Sequence, residues 1–264
     1  MRFFVISCLT IILAFSTIGC NGSAIEGGEN SLKTSKLELK DIAFRLGQES
    51  SISIYIEENG EIAPYLVIAD DYDSSCLLLR EYLLDEPMRF NQNVQYAAYY
   101  ENSEIDIFLN NQFYGKLSDV VKNVIVNSTI DITTKDSLGV GGRDVTTITR
   151  NVFLLSYSEL NMSGSKTNLA EGRPIEYFSD KSSRIAYYSN GQKGSWWLRT
   201  PNTADTDVVC GVSIEGAVGV GGVGGTGGED GEYLNGVRPA FCLPGNTLIE
   251  RKDIEGETGY FIKN

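Results

Sequence analysis

Ile52, Ile54 and Ile56 alternate with Ser53, Tyr55 and Glu57, a period of two that places the isoleucines on one face of a strand. Asn59-Gly60 follows, a dipeptide that tolerates the positive φ of a tight hairpin. Tyr65-Leu66-Val67-Ile68 and Cys76-Leu77-Leu78-Leu79 then predict the next two strands of an antiparallel sheet. At Ser103 the period changes. Ser103 occupies an N-cap position with Asp106 three residues on, and Ile105, Phe108 and Leu109 recur at helical spacing. A second short helix is predicted after Ser118, from Val120, Val121, Val124 and Ile125. Further strands are predicted at 130–133, 152–155, 185–188, 195–199, 208–214 and 237–243. Many short strands with a few helices between them predict an α+β fold with an antiparallel sheet, short helices and long loops.

Two stretches fit neither period. Residues 20–38 mix glycine, serine and charge without apolar repetition and are read as a flexible tether, which leaves 39–264 as a single globular domain. From Gly211 to Gly236 the chain carries eleven glycines, too many for a regular element. Within it Gly219-Val220-Gly221-Gly222-Val223-Gly224 matches the dinucleotide fingerprint in letters only. No amphipathic helix follows, and Glu229 and Asp230 stand where a phosphate would need helix amides. A long loop is the reading adopted.

The first residues set the compartment. Arg2 precedes an apolar run from Phe3 to Ile18 that is shorter than the roughly 20 residues of a spanning helix, so it reads as a signal peptide over 1–19. The run ends in Thr17-Ile18-Gly19-Cys20 and resembles the lipobox of bacterial lipoproteins, with Thr17 in place of the usual Leu. That resemblance implies lipidation of Cys20, cleavage before it, and retention on the extracytoplasmic side of a bacterial membrane in the cell envelope.

Loss of residues 1–19 would remove Arg2, so 21 basic minus 35 acidic residues gives a net charge of −14, against −13 for the whole chain. Such a surface disfavours nucleic acid as a partner. The absence of histidine removes Ser-His-Asp and Cys-His catalysis and the commonest zinc sites. Beyond Cys20 only Cys76, Cys210 and Cys242 remain, either one disulfide with a thiol left over or three buried thiols.

Five segments in order carry a wider resemblance: Leu77–Asp85, Phe108–Tyr114, Val152–Ser156, Trp196-Trp197-Leu198-Arg199-Thr200-Pro201 and Gly236-Val237-Arg238-Pro239-Ala240. Together they resemble the bacterial domain of unknown function 6273 over about 44–244. Asp106 and Phe108 depart from its pattern, standing where a basic residue and a Trp are expected. The resemblance implies a compact C-type-lectin-like fold, shared with formylglycine-generating enzyme relatives and variable binding proteins, and no established activity.

Candidate site residues follow from chemistry. Adjacent Trp196 and Trp197 would point to opposite faces of a strand, one into the core and one near the surface. Trp196, Arg199 and Arg238 are read as structural, since a buried guanidinium needs carboxylate or carbonyl partners. Tyr187, Tyr188 and Trp197, with Asp205, Asp207, Glu229 and Asp230, are the candidate ligand contacts. They are expected at the glycine-rich loop, where a rigid scaffold would present recognition residues. No cofactor is required. Calcium is the metal that the clusters Asp70-Asp71-Asp73 and Asp205-Asp207 would suit, though solvated acids are the plainer account. Two functions result: a non-enzymatic lectin-like surface module for a glycan, peptidoglycan or protein ligand, or an oxidase-like enzyme using Cys210 and Cys242. The first is preferred.

Overall fold

A computed structural model describes residues 36–48, 52–92, 95–161, 169–219, 234–254 and 257–263. The expected signal peptide, Cys20, the tether as far as Ser35, and Glu229 and Asp230 lie outside these. Lys36–Asn264 forms one compact unit.

The strands in chain order are β1 (Ser53–Glu58), β2 (Glu61–Tyr72), β3 (Ser75–Arg80), β4 (Ser128–Thr133), β5 (Val145–Arg150), β6 (Ala186–Tyr187), β7 (Lys193–Gly194), β8 (Trp196–Pro201), β9 (Val209–Val212), β10 (Val218–Gly219), β11 (Ala240–Leu243), β12 (Ile249–Ile254) and β13 (Glu257–Ile262). Helix α1 (Glu104–Phe108) runs through a π-helical stretch (Leu109–Phe113) into α2 (Tyr114–Lys116), and α3 (Asp119–Lys122) follows. Mainly antiparallel sheets with a few short helices fit an α+β class loosely. Among the described residues no helix is long and apolar enough to cross a membrane.

A six-stranded sheet, in the order β11-β3-β2-β1-β13-β12, organises the unit. Ile54 and Ile56 of β1 are buried while Glu57 is exposed, so the alternation places one face on the core. Asn59 and Gly60 take φ of 55° and 89°, the left-handed pair that a two-residue hairpin needs, and β1 pairs β2 from Glu58↔Glu61 to Ser53↔Leu66. β3 lies inside the sheet and is buried from Ser75 to Leu79, which is why its sequence is a continuous apolar run rather than an alternation. The late strand β13 returns parallel to β1, through Ile54↔Tyr260 and Tyr55↔Phe261. Early and late chain thus meet in one sheet, and everything between β3 and β11 is an excursion from it.

Three sequence expectations change. The segment 152–155 is not a strand: only Phe153 bridges Ala240. Two apolar strands that each carry an Arg are expected in one central sheet region, yet the motifs at 195–199 and 237–242 do not share a sheet, because β8 belongs to the three-stranded β10-β9-β8. Their contact is local, with Trp197 N donating to Gly236 O (3.1 Å) and Gly236 N to Ser195 O (2.8 Å). A side chain at Gly236 would come within 2.6 Å of Leu83 and 2.9 Å of the Ser195 carbonyl, so the two segments touch only because that residue is glycine. Finally, β5, β12 and β13 were not predicted. β5 alternates weakly, with only Ile148 buried, and β12 reads Ile-Glu-Arg-Lys-Asp-Ile, a charged strand suited to the open edge it occupies.

Candidate functional site

One network in the core joins the fully buried charges of Arg199, Glu159 and Glu171. Arg199 on β8 is fully buried and grips Glu159, equally buried, with Nη1 on Oε2 and Nη2 on Oε1, both at 2.8 Å. Its Nε donates to Asp131 O (2.9 Å), and Nη1 also donates to Leu154 O (2.8 Å). Tyr72 donates to Glu159 Oε1 (2.7 Å) and Ser156 N to Oε2 (2.8 Å), so the carboxylate is saturated. Glu171, also buried, accepts from Thr133 N and Oγ1 at 2.6 Å and from Thr200 Oγ1. Burial pushes the Glu171 carboxyl above its usual range, against the pull of Arg199. Arg199, Glu159 and Glu171 have no exposed surface, and they tie β8 and β4 to the segments around 154–159 and 171.

Trp196 and Trp197 do point to opposite faces, but both are fully buried because β8 is covered on each side. Trp196 Nε1 donates to Arg184 O (3.0 Å), and the Arg238 guanidinium lies 5.4 Å from its ring centroid. Arg238 has carbonyl partners instead of a carboxylate, those of Arg80 (2.9 Å) and Glu81 (3.4 Å). Trp197 packs on Phe90 and donates to Met88 O at 2.8 Å, so the expectation of a ring near the surface is corrected.

The remaining candidates are dispersed. Tyr187 is exposed and Tyr188 half-buried, on the β6–β7 hairpin docked on Tyr82 and Leu83. Asp205 and Asp207 lie in the β8–β9 turn, which docks on Ala98, Gly139 and Gly141, and Asp205 accepts from Asn202 Nδ2 (2.9 Å). Asp70 pairs with Arg45 at 2.6 Å and Asp71 with Arg173 at 2.8 Å, so two acids of the first cluster already have cationic partners. Among the described residues no three His, Cys, Asp or Glu side chains group as a metal site. Cys76, Cys210 and Cys242 are free and buried, and burial raises each thiol to about 12. Cys210 is on β9 and Cys242 on β11, strands of different sheets.

A cleft of about 590 Å³ opens elsewhere, between the β1–β2 turn, the 84–88 segment and the helical stretch from Phe108 to Lys116. Its size falls in the ordinary range of small-ligand sites. At its base Arg80 Nε contacts Glu58 Oε1 at 3.0 Å, with side chains only 15% and 10% exposed, and Tyr65 donates to the same carboxylate. Arg80 Nη1 is fixed by Tyr82 O (2.8 Å) and Leu83 O (2.9 Å), and the Tyr65 hydroxyl also interacts with this guanidinium. Burial, then the Glu58 charge, hold the Tyr65 hydroxyl well above its usual range, so it stays a donor. Leu84, Pro87, Met88 and Phe108 form an apolar wall; Asn59, Glu61, Asp85, Glu86, Gln112 and Lys116 supply the polar rim.

The wall is held from behind. Met88 O accepts from Trp197 Nε1, and Met88 N donates to Asn235 O (3.0 Å), at the end of the glycine-rich segment. Asp85 accepts from Ser189 on the β6–β7 hairpin at 3.1 Å, so Tyr187 and Tyr188 neighbour the cleft without lining it. The helix is set by Ser103, whose Oγ accepts from Asp106 N (3.3 Å), and by buried Asp106 gripping Arg150 with two bonds of 2.8 Å. Sequence reasoning missed Glu58, Arg80 and Gln112 as a group; the available signal was that Arg80, Phe108 and Gln112 stand inside two of the motif segments.

No curated protein and no solved structure matches the chain. A family model described as a domain of unknown function (DUF6273) matches residues 73–245. The match begins at the β2–β3 turn and ends just beyond β11, and β3 and β11 pair antiparallel from Cys76↔Leu243 to Leu79↔Ala240, so the matched stretch is closed by its own terminal strands. It covers well over half of the chain and contains the apolar wall, Arg80 and the helix: the chain belongs to the DUF6273 family.

Proposed function

We propose that this chain is an extracytoplasmic, lipid-anchored binding module without catalytic activity, carried on a C-type-lectin-like frame, whose ligand occupies the cleft around Arg80 and Phe108. The anchor rests on the apolar run ending at Gly19-Cys20. Support for the lectin-like frame comes from a mostly antiparallel sheet with short helices and long connections.

The cleft is the observation that carries the binding role: a fixed polar base, one apolar wall and a polar rim, held by hydrogen bonds of Met88 to Trp197 and Asn235. The oxidase reading has less support. Its two thiols are buried on separate sheets and held protonated, whereas metal ligation and redox chemistry use an accessible thiolate.

Phe108→Asp would put a charge on the wall without touching the base. In a screen of glycans, peptidoglycan fragments and short peptides against the full chain, ligands retained by the native protein should be lost by this variant. Undiminished binding would refute the cleft as the site.

A further inference from the structure

We infer that the cleft accepts a cationic, amphipathic peptide segment, a lysine or arginine flanked by apolar residues, in preference to a neutral glycan; this rests on the binding role assigned to the cleft. Its lining carries Glu58, Glu61, Asp85 and Glu86 against Arg80 and Lys116, four negative charges and two positive, net −2. Glu58 and Arg80 neutralise each other at the base. The rim therefore presents Glu61, Asp85 and Glu86 against Lys116, and among the described residues none of the three is in an ion pair, Asp85 accepting only from Ser189 (3.1 Å).

Three recognition elements coincide. The acids on the rim attract an ammonium or guanidinium group, and the overall charge of −13 adds long-range attraction. Leu84, Pro87, Met88 and Phe108 take an apolar neighbour. The Arg80 guanidinium lines the cleft and supplies N–H donors that a main-chain carbonyl can share. A neutral sugar would use the donor and leave the acids desolvated without a counter-charge, a cost that a peptide cation removes.

The test compares three probes on the full chain: a blocked peptide with lysine between two leucines, its twin with glutamine in place of lysine, and chitotetraose. The native protein should bind the lysine peptide at least about tenfold more tightly than the twin, with an advantage that shrinks as salt is raised. The variant Glu61→Gln/Asp85→Asn/Glu86→Gln should lose that tenfold while keeping its melting temperature. If the twin or chitotetraose binds as well as the lysine peptide and only Phe108→Asp abolishes binding, the charge preference is overturned and the cleft stands. If no probe is affected by either variant, or none binds, both readings fall.

Discussion

Replacing Arg199 by Met tests the network that holds β8 in place. Methionine fills most of the volume but removes the charge, so Glu159 keeps Tyr72 and Ser156 as donors and loses its only charged partner in the network. Removing one member of a fully buried pair leaves the other charge uncompensated away from water, which costs roughly 3–5 kcal/mol. For a domain of this size, a loss of ~4 kcal/mol lowers Tm by about 10–15 °C. Urea unfolding followed by the fluorescence of Trp196 and Trp197 reads the change directly. The double variant Arg199→Met/Glu159→Gln should be destabilised by less than the sum of the single changes, since no unpaired charge is left. A loss under ~1 kcal/mol for Arg199→Met, or strict additivity in the double variant, would refute the argument that this pair must remain intact.

Three further outcomes follow from the same chemistry. Because burial raises Glu171 in the folded state, its contribution to stability is complete below the unfolded-state value and is lost as pH rises through the folded value; Glu171→Gln should flatten that part of the stability curve in chemical denaturation, and an unchanged curve would refute the assignment. Cys76, Cys210 and Cys242, held at about 12, should resist maleimide at pH 8 in the folded protein and react fully in urea; rapid native labelling, mapped by mass spectrometry, would contradict their burial. Cys20→Ser should abolish acyl labelling and membrane retention in cells, and a variant that matures and partitions like the native chain would remove the lipoprotein reading.

Local features could be read from sequence because their causes are local. The alternation at 52–57, the left-handed Asn59-Gly60 pair and the Ser103 cap each depend on residues within a few positions of one another, and each forms where its pattern stands. The ordered motif segments likewise carried the family. Tertiary structure decided what depends on residues far apart. Arg199 required a partner by physical chemistry, but nothing in the spacing indicated Glu159, 40 residues away. Period-two geometry separated the Trp196 and Trp197 rings, yet whether both faces of β8 would be covered depended on Phe90 and Met88 on one side and Arg184 and Arg238 on the other. The cleft joins Glu58, Arg80 and Gln112 from two strand ends and a helix, and β13 closes the sheet by a parallel pairing that no short pattern encodes. A sequence carries the period of each element; which faces are covered, and by what, is settled only when the elements exclude water together.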